Sequence, residues 1–202
     1  FLYRRLQSRR FADVPATADC GLILSPATIA IATSCVGNAE QITVSTNGKY
    51  AVVSTDQFRL ESVLIEGRYP RYEAILPKSQ AMRLDVPVKA FVTAVRRAAI
   101  CANTSTNQIR FDFVPSQIYA NVSASDVDFS KASKTSLALP KPEQVKAVLS
   151  IGFRANILLN AVGCIPTTDM LLCLNDAQKA ATFETADGAT VVLVMPQMLT
   201  DQ

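Results

Sequence analysis

A strand, a helix and three more strands recur three times along this chain, and no other feature limits its fold as much. In residues 22–65 a short apolar stretch (LIL) and Pro26 precede a helix-length apolar segment. The strand-like segments QITVST, YAVVST and FRLESVLI follow, separated at Asn47-Gly48 and Asp56-Gln57. Residues 82–139 repeat the order with MRLDV, PVKAFVTAVRRAAIC, NQIRFDF, QIYANVS and FSKASKTSLAL. Residues 148–195 do so again with VLSIGF, RANILLNAVGCI, MLLCLND, KAATFET and ATVVLVM, and Asp187-Gly188 marks a turn. Pro26 and Pro87 each fit the first position of a helix, where the missing N–H costs nothing. One helix and four strands cannot close a core alone, so two modules must pair into a domain. The second and third copies are expected to form one domain over about 80–199, with helices near 87–101 and 154–164 side by side. The first copy needs a partner module, which the region before residue 21 is expected to supply. The stretch EGRYPRYEAILPKSQA (66–81), with two prolines, reads as an interdomain linker, giving domains 1–79 and 80–202. The expected class is α+β, with antiparallel sheets and paired helices on one face.

Composition removes most chemistry. The 202 residues include no histidine, which takes away the commonest general base, the Ser–His and Cys–His pairs, and most zinc sites. Acidic residues are spread singly, and neither phosphate-binding glycine pattern occurs. No catalytic residue, cofactor or metal is expected. The five cysteines (Cys20, Cys35, Cys101, Cys164, Cys173) have no C-x-x-C spacing and fit a reducing, cytoplasmic setting. No apolar run approaches the roughly 18–20 residues that span a bilayer, so no membrane partner is expected. The opening FLYRRLQSRRF has no initiator Met, apolar h-region or cleavage site, and reads as a start inside a longer protein. Arg4, Arg5, Arg9 and Arg10 read as a solvated arm. They account for the net charge of +3, leaving 16 basic against 17 acidic residues elsewhere. Bulk charge therefore does not bind this chain to nucleic acid.

Four segments carry a family resemblance. Leu64-Ile65-Glu66-Gly67-Arg68-Tyr69-Pro70-Arg71-Tyr72, followed by Ile75-Leu76-Pro77, resembles an LIEG-(F/Y)-P-x-Y…(V/I)-(I/L)-P joint. Arg97-Ala98-Ala99-Ile100 resembles R-A-A-I-L at a helix end, and Ile151-Gly152-Phe153 resembles I-G-F-N. Val194-Met195-Pro196-Gln197-Met198-Leu199 resembles a V-M-P-M-R-L terminus. All four belong to the β subunit of bacterial DNA polymerase III, the ring-shaped sliding clamp, and they keep its order over about residues 20–199. The resemblance implies a processivity factor that tethers its partners to duplex DNA without reading sequence. Those partners are DNA polymerase, the clamp loader and repair proteins, which carry short hydrophobic peptides. It also implies a head-to-tail homodimer in the full-length form, and a monomer for this chain alone.

By the same resemblance, Pro70, Ile75, Leu193, Met195, Pro196, Gln197, Met198 and Leu199 match a peptide-binding groove between the second and third domains. An apolar pocket lined by Met and Leu suits varied anchors, because Met repacks easily. Departures are Ala74 where the family has Arg, Gln197-Met198 for M-R, and the extension Thr200-Asp201-Gln202. Thr55-Asp56-Gln57-Phe58-Arg59-Leu60 looks like the family's groove segment T-D-G-x-R-L, but it runs directly into the LIEG joint and reads as a module strand. DNA-facing candidates are Lys89, Arg96 and Arg97 on the second helix and Arg154 before the third. Lys89 and Arg96 share a face opposite Phe91, Val95 and Ala99, with Arg97 about 100° round from Arg96. Ile100 and Cys101 match the subunit interface. The helix at 27–36 has no charge. That and the altered terminus leave open an alternative, a clamp paralogue that binds peptides as an adaptor or competitor without encircling DNA.

Overall fold

Alternation of apolar and polar residues dictates the strands, and the elements follow the repeated module. The computed structural model describes residues 2–4 (backbone only), 22–37, 41–68, 74–77 and 79–199. The chain divides into two compact units, Phe1–Arg9 with Ile75–Gln202, and Arg10–Ala74.

In the larger unit the first module runs β5 (Met82–Pro87), α2 (Val88–Ala99), β6 (Gln108–Phe113), β7 (Tyr119–Asp126) and β8 (Lys131–Ala138). The second runs β9 (Leu149–Arg154), α3 (Ala155–Val162), β10 (Asp169–Leu174), β11 (Ala181–Glu184) and β12 (Val191–Val194). A further strand, β1 (Leu2–Arg4), pairs antiparallel with β12, Tyr3 facing Leu193. The two antiparallel sheets are ordered β1-β12-β11-β10-β5 and β8-β7-β6-β9. Each module therefore sends its first strand into the other's sheet. β5 pairs with β10, Leu84 opposite Leu172, and β9 pairs with β6, Ile151 opposite Phe111.

Inward positions follow the pleat: Met82, Leu84 and Val86 on β5, Ile109, Phe111 and Phe113 on β6, Met170, Leu172 and Leu174 on β10. Phe91 of α2 joins the sheets, stacked on Phe111 of β6 at 5.4 Å and edge-on to Phe183 of β11 at 5.6 Å. Phe91, Ala94, Val95 and Ala98 form the buried stripe of α2, which packs against α3 through Ala155, Leu158, Ala161 and Val162. The helices lie side by side, as the repeat requires.

Three local expectations are corrected. Pro87 ends β5 and caps α2 with φ −65° and ψ 124°, one position before the expected N1. Residues 22–24 form no strand, and the Ile23 carbonyl instead accepts from the Ile65 N–H at 2.9 Å. The expected arm forms strand at Leu2–Arg4, while Arg5, Arg9 and Arg10 lie outside the described residues.

The smaller unit holds α1 (Pro26–Val36) and the sheet β2-β3-β4, formed by Thr43–Thr46, Tyr50–Ser54 and Arg59–Val63. Ser25 caps α1 by accepting from the Thr28 N–H at 3.1 Å, with Pro26 at the helix start. A single module leaves much open. Thr28 is the buried residue of α1, Ile29 and Ile31 are about half exposed, and all of β2 is exposed. Among the described residues no helix is long and apolar enough to cross a membrane.

The larger unit covers two of its four sheet edges among the described residues, those of β5 and β9. On β5 the Asp85 N–H donates to Gln144 Oε1 at 2.8 Å, and the Asp85 carboxylate receives Lys141 Nζ and Gln144 Nε2. On β9 Gln197 bridges to Gly152. β1 and β8 have no outer strand neighbour among the described residues.

Two outcomes follow from this packing. Phe111→Ala, removing a ring that is 1% exposed and touches three others, should cost about 3–5 kcal/mol in urea unfolding. The hydrogen bond from Lys141 holds the Asp85 carboxyl below its ordinary value, helped by Gln144 and opposed by partial burial. A depressed folded-state pKa stabilises at pH above the unfolded value, and that increment disappears as pH falls through the folded value. Asp85→Asn should therefore unfold more easily than the parent at pH 6–7. The two should converge below about pH 4 in a denaturation series.

Candidate functional site

Pro196 ends the ladder of β12, since it has no N–H to donate. The chain then crosses to the other sheet. The Gln197 N–H donates to the Gly152 carbonyl of β9 at 2.8 Å, and Gln108 Nε2 of β6 donates to the Met198 carbonyl at 2.7 Å. Gly152 belongs to the outward face of β9 with Ser150 and Arg154, between the core residues Ile151 and Phe153. A Cβ there would stand 2.7 Å from the Gln197 carbonyl oxygen and 2.8 Å from Leu199 Cδ2. Glycine at this position is demanded by the tail lying over it.

The groove candidates thus divide by placement. Gln197 and Leu199 are seated against β9 and half-buried, while Met195 (46%) and Met198 (78%) are exposed, as is Ile75 (57%). Pro196 is half-buried. Leu193 is buried on the face of β12 opposite the core residues Val192 and Val194. Pro70 lies outside the described residues.

The loop 103–108, which sequence reasoning did not single out, ties several elements together. Asn107 takes φ 51°, a left-handed conformation that asparagine tolerates better than most residues. Its carbonyl accepts from the Ala155 N–H at 2.8 Å and its Oδ1 from the Asn156 N–H at 3.1 Å, capping the first turn of α3. Arg154 donates to the Thr106 and Ser105 carbonyls, each at 3.1 Å. Asn103 Nδ2 reaches the buried Asp126 at 3.0 Å and Asp128 at 3.1 Å, both at the turn end of the β7–β8 hairpin. Arg154 is thereby the N-cap residue of α3, with its guanidinium held on loop carbonyls.

Lys89, Arg96 and Arg97 are exposed on α2, and none forms an ion pair among the described residues. On α3 the exposed polar residues are Asn156 and Asn160. At the end of α2, Ile100 is 78% exposed and Cys101 partly buried, while Ser133 of β8 donates to the Ala98 carbonyl at 2.9 Å. Burial, then the charge of Glu184, pushes the Cys173 thiol up to about 12, so this cysteine packs as an inert apolar group. Among the described residues no group of three His, Cys, Asp or Glu side chains is placed to hold a metal.

Known proteins share both the fold and the sequence pattern. The sliding clamp structure from Bacillus subtilis aligns with TM-score 0.81 at 15% identity, covering 93% of this chain and 49% of that one. The Pseudomonas aeruginosa clamp solved with a ligand aligns at 0.79 with 22% identity, covering 88% of this chain and 48% of that one. The β sliding clamp of Synechocystis is 23% identical over 166 residues, 81% of this chain and 41% of that protein. That of Pseudomonas putida is 27% identical over 145 residues, 70% of this chain and 38% of that protein. The chain spans about two fifths of the length of these curated relatives. Its fold class is that of the DNA clamps, α+β with antiparallel sheets and paired helices. The family model for the DNA polymerase III β subunit, C-terminal domain, matches residues 73–198, and the chain belongs to that family.

The Asn107 cap is open to test. Asn107→Ala removes the side-chain acceptor and strains the left-handed backbone, so thermal unfolding should report a loss of about 1–2 kcal/mol. Asn107→Gly relieves the backbone term and should cost less.

Proposed function

We propose that this chain is the clamp portion that recruits partners to DNA. In this reading the smaller unit is the second half of the middle domain and the larger unit the C-terminal domain, with the expected boundary at 79/80 moved to 74/75 and residues 1–9 assigned to the larger unit. The function is non-catalytic and cytoplasmic, that of a processivity factor which tethers polymerase and other partners to duplex DNA. Ile75, Leu193, Met195, Pro196, Gln197, Met198 and Leu199 line the groove that receives their apolar peptides. The observation that carries this reading is the exposure of Met195 at the start of a tail whose following residues are fixed on β9. An exposed Met on a held backbone is a rigid mount for a side chain that adapts to different anchors. Related clamps from P. aeruginosa have been solved with a ligand and with griselimycin, which supports a ligand site in this fold.

Lys89, Arg96 and Arg97 give α2 a basic outer stripe suited to phosphate, with binding that is sequence-independent and weakened by salt. Arg154 contributes its remaining donors from the start of α3. Ile100 and Cys101 sit beside the open β8 edge, a fitting place for a second subunit in the full-length, head-to-tail dimer. One observation favours the adaptor reading instead. α1 carries no charge on any face, so that helix offers phosphate no cation.

Calorimetry with a peptide of one Gln followed by Leu and Phe anchors tests the groove. The expected affinity is micromolar, about −8 kcal/mol. Met195→Ala should weaken it by about 1–2 kcal/mol, as loss of an anchoring contact does. Lys146, exposed on the same unit, is the neutral control, because Lys141 is bound to Asp85. No heat at millimolar peptide would remove the groove.

A further inference from the structure

We propose that Gly152 and Gln108 are positioning residues for the peptide groove. They seat the C-terminal tail on β9, and that seat sets where Met195 and Pro196 stand. The inference rests on the groove reading and names residues that never touch the peptide.

Space, rather than backbone conformation, calls for glycine at position 152. Unlike Gly48 or Gly188, Gly152 has no positive φ, so alanine fits its backbone without strain. It also lies within β9, where a side chain would ordinarily strengthen the strand. What excludes a side chain is the tail. The Gln197 carbonyl oxygen would meet the new Cβ at 2.7 Å, and must retreat by about 0.7 Å to reach the 3.4 Å of ordinary contact. Backbone cannot swing aside as a side-chain tip can, so the whole segment has to move.

The seat is small enough for that movement to matter. Its polar ties are the Gln197 N–H on the Gly152 carbonyl, Gln108 on the Met198 carbonyl, and a long contact of 3.4 Å from Gln197 Nε2 to the Thr106 carbonyl. Met195 is two residues from Gln197, a span of at most about 7 Å, with the stiff Pro196 between them. A displacement at Gln197 therefore reaches Met195 instead of dissipating in flexible chain. Gln108 acts from the other side, fixing the carbonyl of Met198 so that the tail stays flat over Gly152.

The four methionines supply a built-in readout. Met82 and Met170 are each 2% exposed in the core, whereas Met195 and Met198 report on the tail. Methyl-labelled methionine spectra should be recorded on the full chain, on Gly152→Ala and on Gln108→Ala, alongside titration with the Gln-Leu-Phe peptide. The expected result is that both variants shift and sharpen the Met195 and Met198 signals, leave Met82 and Met170 in place, and bind about tenfold more weakly. Gln108→Ala removes only an outward hydrogen bond, so it keeps the test valid if Gly152→Ala folds poorly. Unmoved tail signals in Gln108→Ala would overturn the seat. Moved tail signals with unchanged affinity would overturn its positioning role. A parent chain that binds no peptide would instead show that the groove reading itself has failed.

Discussion

The reciprocal exchange of first strands between two modules is the constraint on which the larger unit depends. β5 leaves its own module to complete β10–β12, and β9 does the same for β6–β8. Neither sheet is complete without the first strand of the other module, and α2 and α3 pack on each other as well as on the sheets. Phe91 concentrates this dependence, because its ring contacts Phe111 of one sheet and Phe183 of the other. The smaller unit shows the contrary case. With one module it buries Ala51 and Val53 and leaves Ile29, Ile31 and Val44 about half exposed.

Most of this was legible because periodicity is a local signal. Alternation in MRLDV, NQIRFDF and MLLCLND marked strands whose inward residues are the ones buried. Helical spacing found Phe91 and Val95 of the α2 stripe, which continues through Ala98, with the expected Ala99 only partly buried. What could not be read depends on distant partners. Leu2–Arg4 looks like a basic arm until β12 is placed beside it. The stretch LIL at 22–24 is apolar enough for a strand, but among the described residues it meets no strand edge, and the Ile23 carbonyl takes one bond from the Ile65 N–H. Asn107 is one asparagine among several in sequence, and acquires its role as a cap only when β6 delivers it to α3.

The candidate site divides along the same line. Exposure of Lys89, Arg96 and Arg97 followed from the helix pattern alone. The difference between Met195, which is free, and Gln197, which is seated, did not, because it arises from a glycine 45 residues earlier in the chain. Ile151-Gly152-Phe153 was visible as a motif, yet its meaning lies in what crosses above it. Arg154 shows the reverse, since a residue that suggests phosphate contact proves to brace two loop carbonyls.

Edge coverage in the larger unit also fixes how its sheets can grow. β5 is stopped by the Gln144 side chain and β9 by the bridge at Gln197, while β1 and β8 have no outer strand among the described residues. Each sheet thus keeps one closed side and one adhesive side. Endless stacking within a sheet needs both sides adhesive, one to receive and one to offer. Either sheet can therefore lengthen in one direction only.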